Sequence, residues 1–228
     1  MPDIILPGSA GRIEARYQRQ KAPGAPMALV LHPHPQFGGT MNNPLVYDLF
    51  HMFHGLGCTT VRFNFRGVGR SQGSFDNGAG ELSDAAAVLD WMNTLYPNPS
   101  HVWVCGISFG AWIGMQLLMR RPEIEAFISV SPPASSYDFS FLAPCPSSGL
   151  ILQGDQDTTV PPESVQKLVH KLSHQRDIKI EYRKIPGADH FFVEQAEALV
   201  GYVDTYIGAH ARFTPAAEAA TGTGSRGR

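Results

Sequence analysis

Ser108 stands inside Gly106-Ile107-Ser108-Phe109-Gly110, a Gly-x-Ser-x-Gly pattern. Ahead of it runs Val102-Trp103-Val104-Cys105, a short apolar stretch that reads as a buried strand. Behind it, Ala111 to Met119 has a helical pattern. A strand turning sharply into a helix with serine at the apex is a nucleophile elbow. The turn strains the serine backbone and crowds its neighbours, so Gly106 and Gly110 supply the missing side chains. The helix N-terminus aims amide N–H groups at the reacting centre, and the Phe109 N–H is placed to donate to an oxyanion. A free hydroxyl is too weak at neutral pH unless a base takes its proton. His190, in Gly187-Ala188-Asp189-His190-Phe191-Phe192, is the candidate base and later the acid for the leaving group. Asp155 and Asp157, in Gly154-Asp155-Gln156-Asp157-Thr158-Thr159-Val160-Pro161, are the candidates to orient it.

A second match, Gly69-Arg70-Ser71-Gln72-Gly73, fails on context. It follows Phe65-Arg66-Gly67-Val68 rather than a finished strand, and it leads into loop chemistry, Ser74 to Gly80. Ser71 is rejected as nucleophile.

The elements that must position these groups alternate along the chain. Strands are predicted at Ile4–Leu6, Arg12–Gln18, Met27–Leu31, Thr59–Phe63, the elbow strand, Ala126–Val130, Gly149–Gln153 and Ile178–Arg183. Helices are predicted from Asn43-Pro44, a cap followed by a first-turn proline, to Leu56. Others run over Glu81–Leu95, after a Gly-rich loop from Asn64 to Gly80, then Pro162–Ser173 and Glu194–Ile207. Strand and helix in turn from Met27 onward mean an α/β fold: a mostly parallel twisted sheet with helices on both faces and right-handed crossovers. Ligands bind at the carboxyl ends of such strands. Ser108, the acid loop and His190 all leave strands at that edge, in the chain order Ser, Asp, His.

The chain has 228 residues, 43% of them hydrophobic, enough for one domain with an ample core. That domain is expected over 1–208, and the Ala-, Gly-, Thr- and Arg-rich 209–228 reads as a disordered tail. The net charge of −2 comes from interspersed acids and bases. No basic stripe points to nucleic acid, and no polybasic cluster or membrane-length apolar run points to a membrane. Met1 to Gly8 lacks the basic and apolar regions of a secretory signal. Cys58, Cys105 and Cys145 follow no metal or redox spacing. A cytoplasmic protein with reduced thiols is expected.

The elbow GISFG, the acid loop GDQDTTVP and the His loop GADHFF together resemble the α/β-hydrolase superfamily over about residues 25–208. The loop Phe65–Gly73 resembles that family's segment after its fourth strand. The resemblance implies a Ser108-Asp157-His190 triad, because the second acid of the family's GxxDxxVP pattern faces the His loop. Asp155 is then expected to hydrogen-bond its own turn. The loop His32-Pro33-His34-Pro35-Gln36-Phe37-Gly38-Gly39-Thr40 resembles that of dienelactone-hydrolase-like members. That likeness implies the Gln36 backbone N–H as second oxyanion donor, with His34 as the rival.

Other residues have quieter readings. His32 and His34 lack a third metal ligand at sensible spacing and shape the oxyanion loop instead. His170 and His174 read as a solvated helix face, and Arg66 with Asp84 as a structural polar network. His34, Phe37, Tyr137, Phe139, Phe141 and Phe191 are candidates to line a substrate pocket. Ser131 to Ser148, where a cap is often inserted, spans only eighteen residues with four prolines, so no separate cap domain is expected.

The activity expected is serine hydrolysis of a carboxylic ester with a short or compact acyl group, without metal or organic cofactor. An acyl-CoA or other thioesterase is one alternative. A peptidase lacks a second domain to select peptides. A catalytically silent binding protein on this fold would usually lack a triad residue. The expected partner is a small ester or thioester; the oligomeric state is left open.

Overall fold

The computed structural model describes residues 3–210. Among them eight strands form one sheet: β1 (Asp3–Gly8), β2 (Gly11–Gln18), β3 (Met27–Leu31), β4 (Thr59–Phe63), β5 (Val102–Ile107), β6 (Ala126–Val130), β7 (Ser148–Gly154) and β8 (Ile180–Ile185). Five helices accompany them: α1 (Pro44–Gly55), α2 (Ala79–Leu95), α3 (Phe109–Leu118), α4 (Pro162–Ser173) and α5 (Ala196–His210). The sheet order is β1-β2-β4-β3-β5-β6-β7-β8. The pairs β1–β2 and β2–β4 are antiparallel, and every pair from β4 to β8 is parallel. β5, which leads to Ser108, therefore lies near the middle, buried along its whole length.

Two-residue periodicity divides the core. Val102 and Val104 face a cluster with Leu82, Leu89, Ile113 and Leu168, so α2, α3 and α4 cover that side. Trp103 and Cys105 face Leu49, Phe53, Leu199 and Val203, so α1 and α5 cover the other. The result is a mostly parallel α/β sheet with helices on both faces and no separate cap. Residues 131–147 hold only turns and a 3₁₀ helix, Ser140–Leu142, whose Leu142 is buried in the core. No helix among the described residues is long and apolar enough to cross a membrane.

Several boundaries move, each for a local reason. α2 starts at Ala79, two residues before the expected Glu81, because the buried Glu81 carboxylate reaches back to the Asp76 and Gly78 N–H groups at 2.9 and 2.8 Å. β8 starts at Ile180 instead of Ile178, since the ladder with β7 begins at Gly149–Ile180 and the Lys179 N–H donates to Ser148 Oγ at 2.9 Å. α5 begins at Ala196 rather than Glu194: Asp189 Oδ1 holds the Phe191 and Val193 N–H groups in a preceding turn. Its last residues, Ala209 and His210, fall where the tail was expected to start. The rest of that tail, 211–228, lies outside the described residues.

Candidate active site

The chain passes from β5 to α3 through a single residue. Ser108 has φ 53° and ψ −118°, in the left-handed half of the map, a conformation that costs of order 1–3 kcal/mol for a residue with a side chain. The surroundings enforce it. The Ser108 N–H donates to Val130 O at 2.8 Å, and Ser108 O accepts from the Ala111 N–H at 2.8 Å. A Cβ on Gly106 would collide with the Gly110 carbonyl, and one on Gly110 would lie 2.5 Å from Leu31 O and 2.6 Å from His32 O. Both glycines are there because backbone crosses backbone at the elbow.

Ser108 Oγ lies 2.9 Å from His190 Nε2, and His190 Nδ1 lies 2.7 Å from Asp157 Oδ2. All three side chains are buried, with Ser108 at 9%, His190 at 6% and Asp157 at 4% exposure. An Nδ1–H tautomer fits this line: the ring donates to the carboxylate and accepts from the hydroxyl. Asp157 Oδ1 accepts from the Thr159 and Val160 N–H groups at 2.9 and 2.8 Å, and Oδ2 accepts a second bond from Gln153 Nε2 at 2.8 Å. Burial pushes the Asp157 carboxyl up, but the bonds from His190, Val160 and Gln153 outweigh it and hold the group below the usual carboxylate range. The acid is thus ionised and fully bonded.

Asp155 does something different from what its turn suggested. Its Oδ1 accepts from the Gly187 N–H, 32 residues away, at 2.7 Å, instead of capping its own turn. With Asp155 N–H to Ile185 O at 3.1 Å and Gln156 N–H to Ala188 O at 3.0 Å, it fastens the acid loop to the His loop. Ser131, buried with φ 46°, adds a bond from its Oγ to His190 O at 3.0 Å.

The oxyanion side is less open than expected. As the first residue of α3, Phe109 carries an N–H that a helix leaves without an intrahelical partner. The Gln36 N–H donates to His34 Nδ1 at 3.2 Å, because His34 caps the 3₁₀ turn Pro35–Phe37. It can serve an oxyanion only by sharing or yielding that bond. His32 cannot ligate a metal as it stands: Nδ1 donates to Pro33 O at 2.6 Å and Nε2 accepts from the Phe65 N–H at 3.0 Å.

The pocket candidates separate into groups. The His34 ring lies 4.6 Å from Phe37 and 4.9 Å from Phe109, and Tyr137 lies 5.9 Å from Phe109. Phe37 is 84% exposed at the rim. Phe191 sits 4.8 Å from the His190 ring. Phe139 instead faces a separate cavity against α4, and Phe141 packs on the core without lining that cavity. Phe75, 4.8 Å from His34, and Trp112, 4.4 Å from Tyr137, complete the aromatic group and were missed by sequence reasoning. Gln153 and Ser131 were also missed. Gln153 left a trace, being the polar residue that closes an otherwise apolar buried run.

The other residues hold structure. Ser71 Oγ donates to Asn64 O at 2.6 Å and accepts from the Glu14 N–H at 2.9 Å, with no imidazole beside it. Arg66 grips Asp84 with Nε and Nη2 at 3.0 and 2.8 Å. The exposed His170 and His174 rings lie 4.3 Å apart, tilted, at the C-terminal end of α4. Burial pushes the Cys58 thiol up to about 12 and raises Cys105 and Cys145 as well, so none is an activated nucleophile.

A serine on an elbow at the edge of such a sheet, uncapped, defines an α/β serine hydrolase without a lid. The chain belongs to the S15 family, whose profile, described as X-Pro dipeptidyl-peptidase, matches residues 11–199. It is similar to a putative α/β hydrolase of unknown function from Agrobacterium tumefaciens, with 58% identity and a TM-score of 0.90 over 92% of this chain and 96% of that one. It also resembles an α/β serine hydrolase without lid from Xanthomonas campestris, with 32% identity and a TM-score of 0.86 over 94% and 96% of the two chains. An uncharacterised protein of Rickettsia prowazekii is 52% identical over 211 residues, 91% of this chain and 89% of the relative.

Proposed function

We propose that the protein hydrolyses carboxylic esters with short or compact acyl groups through an acyl-enzyme on Ser108. The observation that carries this is the unbroken hydrogen-bonded line from Asp157 through His190 to Ser108. His190 Nε2 takes the Ser108 proton as Oγ attacks the ester carbonyl. The ionised Asp157 holds the ring and stabilises the imidazolium. The Phe109 N–H faces the developing oxyanion, with the Gln36 N–H as second donor when it yields its bond to His34. His190 then protonates the leaving alkoxide, and water deacylates Ser108 by the same route. The absence of a cap supports short acyl groups, since each methylene left in water forgoes about 0.8 kcal/mol.

The S15 family match favours a second reading, cleavage of a peptide bond after proline. A fluorophosphonate probe tests for the activated serine, and its label should vanish in Ser108→Ala. Turnover of 4-nitrophenyl acetate and butyrate should exceed that of butyryl-CoA and of Gly-Pro-4-nitroanilide. Preferred cleavage of the anilide would replace the ester reading by the peptide one. A rate jump at the solubility limit of a longer ester would refute the short-chain reading.

A further inference from the structure

A cavity of about 480 Å³ lies between the 134–140 loop and α4. That is within the range of about 300–1,000 Å³ typical of small-molecule sites. Ala134, Tyr137, Phe139, Pro161 and Leu168 supply the apolar half of its lining, and polar and charged side chains the rest. Its charged lining balances, Asp138 and Glu163 against Lys167 and Lys171, so it selects for no ionic substituent.

Tyr137 is the residue this cavity shares with the nucleophile's surroundings. Its ring lies 4.4 Å from Trp112 and 5.9 Å from Phe109, the residue after Ser108, while neither of those two lines the cavity. The loop is pinned there: Trp112 Nε1 donates to Asp138 O at 3.0 Å, and the Tyr137 N–H to Pro133 O at 3.0 Å. The leaving group must collect a proton from His190 Nε2, next to the exposed Phe191. The Tyr137 ring, packed beside Phe109, is left to meet the acyl chain.

We infer that this cavity is a neutral acyl-chain subsite closed off from Ser108 by the Tyr137 ring, which makes Tyr137 the residue that sets chain length. The inference rests on the ester reading above and deepens it. In the wild type the ring stops the chain after a few carbons. Its removal joins the cavity to the site.

The test is Tyr137→Ala with 4-nitrophenyl esters from butyrate to octanoate. Wild-type kcat/KM should be flat or falling with length, while the variant should gain about fourfold per methylene, the equivalent of about 0.8 kcal/mol each. Tyr137→Phe keeps the ring and should keep the wild-type dependence on chain length, whatever its absolute rate. Ser164→Phe, which fills the cavity from α4, should abolish the gain when added to Tyr137→Ala. Octanoate binding by calorimetry in a Ser108→Ala background reads the cavity without catalysis, and Tyr137→Ala should tighten it at least tenfold. No tightening, or tightening that Ser164→Phe leaves intact, overturns the inference. Tightening that behaves as expected in a protein that turns over no ester would uphold the subsite and sink the ester reading instead.

Discussion

Lowering the pH should destabilise this protein through one buried histidine outside the proposed triad. His32 is fully buried at the end of β3, and both ring nitrogens are committed to backbone groups, Pro33 O and the Phe65 N–H. Burial pushes its pKa down to about 3; the bond to Pro33 opposes that shift and the nearby His34 adds to it. Its ordinary value is about 6.5. Between those limits the unfolded chain binds more protons than the folded one, so stability is full above about pH 6.5 and falls as pH drops toward 3. From pH 8 to pH 5 the loss from this residue is about 2 kcal/mol, a large part of a typical margin of about 5–15 kcal/mol. His32→Asn removes the titration. The assay is urea unfolding of both proteins across pH 5–8. The variant should start less stable, by about 1–3 kcal/mol for its imperfect bonds, and the gap should close by about 2 kcal/mol on acidification. A gap that stays constant with pH, or an NMR midpoint for His32 above about 5 in the folded protein, would refute the reasoning.

The remaining predictions concern the proposed chemistry. Ser108→Ala should lower kcat by about 10⁴–10⁶ with the fold intact, whereas Ser71→Ala should cost about 1–3 kcal/mol in denaturant melts and leave the activity of the folded protein unchanged. Probe labelling lost in Ser71→Ala but kept in Ser108→Ala would reverse the assignment. Asp157→Asn should lower kcat by about 10²–10⁴, since an amide cannot stabilise the imidazolium. Asp155→Asn should be mild, because an amide oxygen still accepts from the Gly187 N–H; a larger loss at 155 than at 157, both folded, would assign the acid wrongly. Gln153→Leu should lower kcat about 10- to 100-fold with KM nearly unchanged, as expected for one lost bond to a charged acceptor. A KM effect alone would place Gln153 in binding rather than in support of Asp157.

The parts that were legible in the sequence are those with a local signature. Strand alternation marked the sheet, because β3, β5, β6 and β7 are buried on both faces and read as continuous apolar runs. The elbow was legible because only glycine fits at 106 and 110. What stayed hidden is long-range. Asp155 seemed a turn residue, since nothing in GDQD states that its partner lies 32 residues on. Phe75 comes 34 residues before Phe109, and its place beside that ring follows only from how α3 meets the Gly-rich loop, whereas Trp112 neighbours Phe109 by helix spacing alone. The competition for the Gln36 amide from a histidine two residues earlier was likewise not legible.

The site's stiffness is distributed unevenly, and that bears on what it can bind. The acid and His loops are joined by three main-chain or Asp155 bonds, and a Cβ on Gly154 would meet the Ala188 and Asp189 carbonyls, so the two loops move as one body. Ser131 ties that body to the end of β6, next to the elbow strand. Asp157, His190 and Ser108 are thus set in place before a substrate arrives, which is what electrostatic stabilisation of a transition state demands. The opposite wall is built of side chains rather than backbone: His34, Phe75, Phe109, Trp112 and Tyr137, ring against ring. Packed rings change rotamer at far less cost than crossed main chains change path. Differences in substrate preference between this chain and its relatives should therefore arise on the aromatic wall, while the Asp-His-Ser side accepts little change without loss of the hydrogen-bonded line.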